Sequence, residues 1–323
     1  MAAPTPSRRA TDRAALRRGR FLGGQLVPVT VTMFLVALGA LVGWRLFGVS
    51  SSSDGTPSWS PDGRRIVFTS LRNGQADVFV MNVDGTAREA ITETQSDEGA
   101  PAFAPDGQRV AFDSDRDGNF EIYIMAANGG DVRRVTQHPG RDLSPSWSHD
   151  GKRIAFLSDR DSPQGLDVYT MNTDGSGVER ITPGGNARGV PQFSPDDRWL
   201  AVTVGDEVQI FENTTRTLHR LMFTPENGSD PTWSADSREL AFSRTTNGGI
   251  DLFTMRADGT DQKRLVSMPA GNVRDQRWSP NGAEMLFALS PGRTGDRTRP
   301  RPVKGGAIYL LELSTGKLTR LSR

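Results

Sequence analysis

The sequence of 323 residues contains no cysteine and only three histidines, His138, His149 and His219. Without cysteine there are no disulfide bonds, no thiolate metal sites and no lipidated cysteine, so packing alone must stabilise the fold. The sequence also lacks a G-x-S-x-G nucleophile elbow and a glycine-rich phosphate loop that opens a helix. These absences argue against a serine hydrolase and a P-loop protein, and a net charge of +1 gives no sign of a nucleic-acid partner.

Long hydrophobic runs are scarce as well, and the one that stands out is Leu26–Trp44, nineteen residues without a charge. At about 1.5 Å per residue, a helix of this length nearly spans a hydrocarbon core of about 30 Å. The preceding residues 1–20 carry six arginines and one acid, which indicates a basic cytoplasmic tail. We therefore predict a transmembrane signal-anchor helix over residues 21–49, a linker over 50–56 and an exported remainder, periplasmic or extracellular. A cleaved signal peptide is the alternative for the same stretch.

The rest of the chain repeats one pattern, seen first in Pro57–Thr92. It reads as strand, Pro-Asp-Gly turn, strand, polar loop, strand, Asp-Gly turn and strand, because apolar residues alternate and the turn residues suit tight reversals. Six copies share an aromatic residue in the first strand and an apolar residue nine positions later in the second strand. The first-strand aromatics are Trp59, Phe103, Trp147, Phe193, Trp233 and Trp278. The second-strand residues are Phe68, Phe112, Phe156, Val202, Phe242 and Phe287.

Self-similarity at a period of about 40 to 50 residues, with four strands per unit, is typical of a β-propeller. We predict an all-β six-bladed propeller over residues 57–323, preceded by one transmembrane helix. Its four-stranded antiparallel blades are expected to start near residues 57, 101, 145, 191, 231 and 276. The recurrent aromatics are expected to act as wedges between neighbouring sheets rather than as a ligand cage. Blade 4, with Val202 and with Asp196-Asp197 in place of Asp-Gly, is expected to pack more loosely.

The repeat P-x-W-S-P-D-G-x-x-I-x-F-x-S, followed by D-[IV]-[FY]-x-M-N-x-D-G and R-x-[IL]-T, resembles the PD40 repeat. This is the WD40-like repeat of the TolB propeller, and it also occurs in propellers of the prolyl oligopeptidase group. The resemblance covers residues 57–323 and implies the propeller fold. It is less specific about function, because propellers host many activities. The activity of the prolyl oligopeptidase group would need a nucleophile elbow on an α/β domain, and this sequence has no such elbow.

Loops on one face of the predicted ring carry most of the variation in length. Strands alternate in direction, so the short Asp-Gly turns share one face, and the second-to-third loops and the connections between blades share the other. Blade 6 has a basic insertion there, whose bases are Arg293, Arg297, Arg299, Arg301 and Lys304. Residues 1–45 hold 7 of the 39 bases and 1 of the 38 acids, and the insertion holds 5 and 1, which leaves 27 bases and 36 acids elsewhere. We predict that the insertion binds an acidic partner or anionic lipid head groups; a solvated loop is the alternative.

One segment has the spacing of a metal site. Asp113, Asp115, Asp117 and Glu121 place carboxylates at positions 1, 3, 5 and 9 around a glycine, a spacing that can wrap Ca²⁺ with oxygen ligands. The segment is similar to the calcium hairpins of integrin-type propellers. The alternative is that these carboxylates pair with arginines between neighbouring blades. The three histidines fall on different parts of the repeat and are not expected to converge, and no other cofactor is predicted.

The repeat, the charge asymmetry and the missing catalytic motifs together predict a membrane-anchored, exported TolB-like propeller that is not an enzyme. Its expected role is a protein–protein interaction scaffold in the cell envelope, with other envelope proteins or peptides as partners. A ligand-sensing or carbohydrate-active envelope propeller is the alternative.

Overall fold

The structure, a computed structural model, describes residues 53–72, 74–162, 164–215, 218–219, 227–246, 249–268, 271–291 and 305–322. These residues form six four-stranded sheets, and in each sheet the strands are hydrogen-bonded in chain order. The predicted all-β propeller of six blades is therefore confirmed. The predicted cytoplasmic tail, signal-anchor helix and first linker residues lie outside the described part. Within it, no helix has the length and apolar character needed to cross a membrane.

Each blade takes four consecutive strands of the chain. Blades 1 to 3 comprise β1 (Ser53–Trp59), β2 (Arg65–Arg72), β3 (Gln75–Asn82), β4 (Glu89–Ala90), β5 (Glu98–Phe103), β6 (Arg109–Ser114), β7 (Glu121–Ala126), β8 (Arg133–Arg134), β9 (Asp142–Trp147), β10 (Arg153–Ser158), β11 (Asp167–Asn172) and β12 (Glu179–Arg180). Blades 4 to 6 comprise β13 (Ala187–Phe193), β14 (Trp199–Val204), β15 (Glu207–Glu212), β16 (Leu218–His219), β17 (Gly228–Trp233), β18 (Glu239–Thr246), β19 (Gly249–Arg256), β20 (Lys263–Val266), β21 (Gly271–Trp278), β22 (Glu284–Pro291), β23 (Ala307–Glu312) and β24 (Leu318–Arg320).

The first strand of every blade begins earlier than the sequence pattern predicts. Residues 53–56, predicted as linker, belong to β1, and the other first strands start three to five residues before their predicted positions. The reason is a β-bulge, because the register between first and second strand shifts in all six blades. At the bulge one residue adopts a left-handed backbone conformation, as in Thr56 with a φ of 47° and Ala100 with a φ of 43°. Pro57, which reads as the start of the strand, comes directly after the bulge.

The hairpin between first and second strands follows from its sequence. In blade 1, Asp62 accepts hydrogen bonds from the Ser60 hydroxyl at 2.6 Å and from the Arg64 backbone N–H at 3.1 Å. These bonds lower the pKa of Asp62. Gly63 closes the turn with a φ of 69°, a conformation that glycine adopts without steric cost. The same side-chain-to-backbone bond recurs in the other five blades, so the predicted turn is confirmed.

The apolar core lies between the blades. Each of six hydrophobic clusters joins one face of a blade to the facing side of its neighbour. Trp147 and Phe156 of blade 3, for example, pack with Ile122 and Ile124 of blade 2. All the first-strand aromatics except Trp278 are less than a tenth exposed. The structure thus confirms that these aromatics act as wedges, and close packing at six interfaces holds the ring together.

Blade 4 is not the loosely packed copy that its sequence suggests. Val202 is completely buried. Asp197 adopts a left-handed conformation with a φ of 56°, and its carboxylate accepts the backbone N–H groups of His149 at 2.6 Å and Asp150 at 2.7 Å in the turn of blade 3. Four other blades have proline at the position of His149, and proline has no N–H to donate. The repeat is thus changed at both ends of one hydrogen bond: His149 supplies an N–H that proline lacks, and Asp197 supplies the carboxylate that accepts it.

The ring closes where blade 6 meets blade 1, and none of the described strands is exchanged between them. The backbone N–H of Asp54 donates to the Gly306 carbonyl at 3.0 Å. The indole N–H of Trp59 donates to the Arg277 carbonyl at 3.1 Å, and an apolar cluster from both blades includes Leu286. Among the residues that the structure describes, the contacts across this seam are non-covalent.

Candidate functional site

The six first strands surround a cavity on the axis of the ring. Its volume is about 500 Å³, and all six blades contribute to its wall. First-hairpin residues, including Pro61, Pro105 and His149, line one end. Among the described strands, each first strand pairs only with its own second strand, so its other edge carries backbone N–H and C=O groups outside the sheet. Some of these groups, such as the Ala102 and Gln192 carbonyls, accept hydrogen bonds from the next blade. These edges face the axis and give the cavity a polar wall.

The aromatic wedges also reach the cavity. Trp147 and Trp233 are almost buried, yet both contribute to its wall. Their indole N–H groups donate at 3.1 Å to first-strand carbonyls of the preceding blade, those of Ala102 and Gln192 respectively. Each of these two indole rings is therefore held in place by a hydrogen bond. Both tryptophans pack between blades, as predicted from the sequence, and also form part of the cavity wall.

At the β-bulge of each first strand, one residue has a left-handed backbone conformation with positive φ. These residues are Thr56, Ala100, Ser144, Gly189, Asp230 and Asp275. In blades 1, 3 and 5 the N–H of this residue donates to a side chain of the preceding blade, and for Thr56 the acceptor is Asp275 at 3.4 Å. The Ser144 N–H donates to Asp113 at 2.7 Å, and the Asp230 N–H donates to the Thr203 hydroxyl at 2.9 Å. A conformation that costs non-glycine residues free energy is thus supported by contacts from outside its own strand.

Blade 6 gives the cavity its cation. Among the described residues that line the cavity, Arg277 is the only Arg, Lys, Asp or Glu. Its half-buried guanidinium donates to the Gln276 carbonyl at 2.8 Å. Burial lowers the pKa of Arg277, and the negative charges of Asp275 and Asp230 partly oppose this effect.

Two of the predicted calcium ligands are bound by donors of their own blade. Asp115 accepts the Asp97 backbone N–H at 2.9 Å, and Asp117 accepts the Tyr123 hydroxyl at 2.5 Å. The same tyrosine–aspartate bond recurs in blade 3. Both carboxylates thus have a structural role in tying the loop to the blade.

Glu121, the third of these candidates, holds the end of its blade together. It accepts hydrogen bonds from Arg134 at 2.7 Å, from the Thr136 hydroxyl at 2.6 Å and from the His138 backbone N–H at 2.8 Å. Asp167 has the equivalent contacts in blade 3. The acid that opens the third strand therefore orders the fourth strand and the connection that follows it.

Asp113, the fourth candidate, is completely buried. Besides the bond to Ser144, it has an oxygen, Oδ1, without a hydrogen-bond partner. Burial, together with the charges of Glu98 and Asp115, raises the pKa of Asp113 to about 7, and the hydrogen bond from Ser144 partly opposes this shift. Within the described ranges, no three His, Asp or Glu side chains are arranged to hold a metal ion. The binding of Ca²⁺ stays a prediction from the spacing.

The arginine–carboxylate pairs of this segment lie within one blade, not between neighbouring blades as the alternative proposed. Arg116 contacts Glu98 at 3.2 Å in blade 2, and Arg160 contacts Asp142 at 2.7 Å in blade 3. The Arg160 guanidinium also stacks 5.2 Å from the centre of the Phe156 ring. Burial raises the pKa of Glu98 and of Asp142, and the paired arginines oppose this shift. The Ser-Asp-Arg-Asp sequence thus fastens the loop to the first strand of the same blade.

The basic insertion of blade 6, with Arg293, Arg297, Arg299, Arg301 and Lys304, lies outside the described residues. It connects β22 to β23, so its place in the chain is that of a second-to-third loop. Its role in binding an acidic or anionic partner stays a prediction.

The sequence pattern predicts partner binding on the face of variable loops, through the basic insertion, and does not predict the axial cavity. The described wall of this cavity includes the short turns of the opposite face. One signal was available in the sequence. Five blades have proline two positions before the aromatic, whereas blade 6 has Gln276 followed by Arg277. The exception falls on the cavity wall.

The fold and the cavity define a closed six-bladed propeller whose axial cavity has the volume of a ligand site. A family model described as the TolB beta propeller domain, PD40, matches residues 46–282. The chain therefore belongs to the TolB β-propeller family, and the resemblance seen in the repeat is confirmed.

Curated relatives match parts of the chain. The "Protein TolB homolog" of Chlorobium chlorochromatii is 30% identical over 125 residues, which is 38% of this chain and 28% of that protein. The "Uncharacterized peptidase YuxL" of Bacillus subtilis is 30% identical over 113 residues, 32% of this chain and 17% of that protein. These matches span less than a third of either relative.

Solved structures with the same fold include proteins of different activity. TolB from Acinetobacter baumannii superposes with a TM-score of 0.62 at 18% identity, covering 85% of this chain and 65% of that chain. An oligogalacturonate lyase in complex with manganese superposes with a TM-score of 0.55 at 14% identity, covering 84% and 78%. At such identities the likeness shows the fold alone.

Proposed function

We propose that the chain is a membrane-anchored, exported TolB-like propeller that binds segments of other cell-envelope proteins in its axial cavity. The observation that carries this proposal is the set of six first-strand edges around one cavity of about 500 Å³. Unpaired backbone groups on a strand edge can bind an extended segment through its main chain, and the aromatic rings beside them can contact its side chains. A rigid ring presents these groups without having to order them on binding.

A binding role fits the chemistry of the cavity wall better than catalysis does. The described wall combines backbone edges, aromatic rings, small polar side chains such as Ser58, Ser146 and Thr232, and the single guanidinium of Arg277. In the described part of the chain, the His149 imidazole has no hydrogen bond to a carboxylate or a nucleophilic side chain; its backbone N–H donates to the Asp197 carboxylate. Propeller enzymes are among the structural neighbours, so the test below includes a carbohydrate ligand.

The proposed location rests on the sequence. Six arginines precede the apolar run Leu26–Trp44, and positive charge is retained on the cytoplasmic side of a membrane segment. A reporter that is active only outside the cytoplasm, fused after Arg323, is expected to be active. Activity of a cytoplasm-specific reporter at the same position would contradict export.

The binding site is tested by site-specific photocrosslinking in intact cells. A photoreactive residue replaces Gln192 on the cavity wall, Gln137 on the face of variable loops, or Thr86 on an exposed third-to-fourth turn. We expect a crosslinked envelope protein from position 192 and none from position 86, with products identified by mass spectrometry. Crosslinks from position 137 and not from position 192 would indicate that the partner binds on the face of variable loops instead of in the cavity. Saturable binding of oligosaccharides to the purified chain, with no crosslinked protein, would favour the carbohydrate-active alternative.

The basic insertion offers a second contact for such a partner. Replacement of its five bases by serine is expected to leave the melting temperature unchanged and to lower the yield of the crosslinked partner. An unchanged yield would exclude this contact.

A further inference from the structure

The sixth blade breaks a pattern that the other five blades share at the cavity wall. Two positions before the aromatic, those five blades have proline: Pro57, Pro101, Pro145, Pro191 and Pro231. The position between is small or polar and uncharged: Ser58, Ala102, Ser146, Gln192 and Thr232. Blade 6 has Gln276 and Arg277 instead. Because both residues differ in blade 6 alone, the part of the cavity wall that blade 6 forms differs chemically from the other five parts.

Gln276 has a clear structural role. Its side chain is completely buried, and its amide donates to the Ser229 carbonyl at 3.2 Å and to the Asp230 carbonyl, both in blade 5. A proline could not make these bonds. Gln276 thereby fixes the backbone from which Arg277 extends.

Trp278 also differs from its counterparts. Trp59, Trp147 and Trp233 donate their indole N–H to a first-strand carbonyl of the preceding blade. By contrast, Trp278 donates to the Gly282 carbonyl in its own turn at 3.1 Å, and it stays partly exposed at the cavity wall. Blade 6 therefore contributes both a partly exposed indole and a guanidinium to the cavity wall.

Arg277 makes no ion pair in the described part of the chain. Its guanidinium has one hydrogen bond there, to the Gln276 carbonyl. Asp275 and Asp230 act on it electrostatically, yet neither lines the cavity, whereas Arg277 does. A partly desolvated guanidinium with free N–H donors favours an anionic ligand, because such a ligand supplies both the charge and the acceptors that burial has removed.

We propose that Arg277 anchors a carboxylate of the polypeptide segment that enters the axial cavity. This proposal rests on the proposed function and names the chemistry of the partner: an acidic side chain or a free C-terminal carboxylate, held by charge-assisted hydrogen bonds. The two aspartates at the bulge level repel an anion from that side. The carboxylate therefore meets Arg277 from within the cavity, where Trp278 contacts the chain beside it.

The test is a selection from random peptide libraries displayed in two formats, one with a free C-terminus and one with both ends fused. The full chain, solubilised in detergent, is the bait. We expect selected peptides to share one carboxylate, either an Asp or Glu in both formats or the C-terminus in the first format only. Removing that carboxylate, by Glu→Gln or Asp→Asn or by amidation of the C-terminus, should weaken binding about 10- to 100-fold.

Variants of the protein distinguish binding of the carboxylate by Arg277 from a general effect of positive charge on peptide affinity. Arg277→Gln should cause a loss of the same size, and combining it with the peptide change should add little. Arg277→Lys should retain part of the affinity because it keeps the charge. Arg64→Gln removes an exposed arginine near the first turn of blade 1 and should leave binding unchanged. Thermal unfolding of each variant confirms that the ring is intact.

Two results would count against the proposal in different ways. Selected peptides that bind Arg277→Gln as tightly as the original chain, and that crosslink at position 192, would overturn the anion site and leave the proposed function standing. Failure to enrich any peptide in either format would overturn both.

Discussion

Replacing Asp113 by asparagine should stabilise the protein above neutral pH and have little effect below pH about 4. Asp113 is completely buried, and one of its oxygens accepts the Ser144 N–H at 2.7 Å. The other oxygen has no hydrogen-bond partner. Burial raises the pKa of Asp113 from 3.8 to about 7. The charged form is therefore the costly one in the folded state.

The sign of the pH dependence follows from the protons bound in each state. Between about pH 4 and pH 7 the folded protein keeps a proton on Asp113 that the unfolded chain has released. The free energy of unfolding therefore falls as pH rises through this window. The shift from 3.8 to about 7 corresponds to at most about 4 kcal/mol, because one pKa unit is worth about 1.4 kcal/mol. The full cost is present above pH 7 and absent below the unfolded pKa.

The assay is denaturant unfolding of the original chain and its variants at several pH values from 4 to 8. In Asp113→Asn, the new amide oxygen can still accept the Ser144 N–H, but the side chain carries no charge. Asp113→Thr is a second variant, since blade 4 has Thr203 in the equivalent role. Relative to the original chain, both should gain about 2 to 4 kcal/mol between pH 4 and pH 8. Asp131→Asn, at an exposed site, controls for loss of a charge. A gain that is the same at every pH would refute the reasoning.

The remaining predictions concern the turns and the calcium hypothesis. Gly175→Ala should cost about 3 kcal/mol or more in denaturant unfolding, because its Cβ would lie 2.3 Å from the Val135 carbonyl oxygen of blade 2. Gly63→Ala, also at positive φ but in open space, should cost only about 1 kcal/mol, and equal losses would contradict the role of the clash. Asp197→Ala should lower the free energy of unfolding by about 1 kcal/mol, because it removes the acceptor of two N–H groups. Asp197→Asn should keep most of the stability, and an asparagine variant less stable than the alanine variant would argue against the link to blade 3. Melting temperatures in EDTA and in millimolar Ca²⁺ should agree, because protein groups already donate to Asp113, Asp115, Asp117 and Glu121. A rise of several degrees with Ca²⁺ would instead support the predicted calcium site.

The fold could be predicted from the sequence because its determinants are local and repeated. Alternating apolar residues, an aspartate that accepts its own turn's N–H, and a glycine at positive φ specify each hairpin without reference to the rest of the chain. The starts of the first strands could not be predicted in the same way. Thr56, Ser144 and Asp230 adopt positive φ although they are not glycines, and hydrogen bonds to neighbouring blades support them in this conformation.

The candidate site was harder to predict for a related reason. A cavity that takes its wall from six distant segments has no contiguous motif, whereas Asp113–Glu121 resembles a metal-binding loop because its carboxylates are close in sequence. In the structure Asp115, Asp117 and Glu121 accept hydrogen bonds from different donors of their own blade, and Asp113 accepts one from Ser144 of blade 3. The informative signal was the departure from the repeat at Gln276 and Arg277, which has meaning only once the repeats are aligned on the ring.

The seam between blades 6 and 1 has a kinetic consequence. At the other five interfaces the polypeptide passes directly from one blade to the next, so two separated blades remain tethered and can rejoin quickly. At the seam, contacts such as those of Asp54 with Gly306 and Trp59 with Arg277 have no such tether. The ring should therefore open there first, as a local fluctuation visible in hydrogen exchange of β1 and β23 before the other blades. The residue proposed to hold a ligand carboxylate lies beside this opening point, so a bound partner would also slow the opening of the ring.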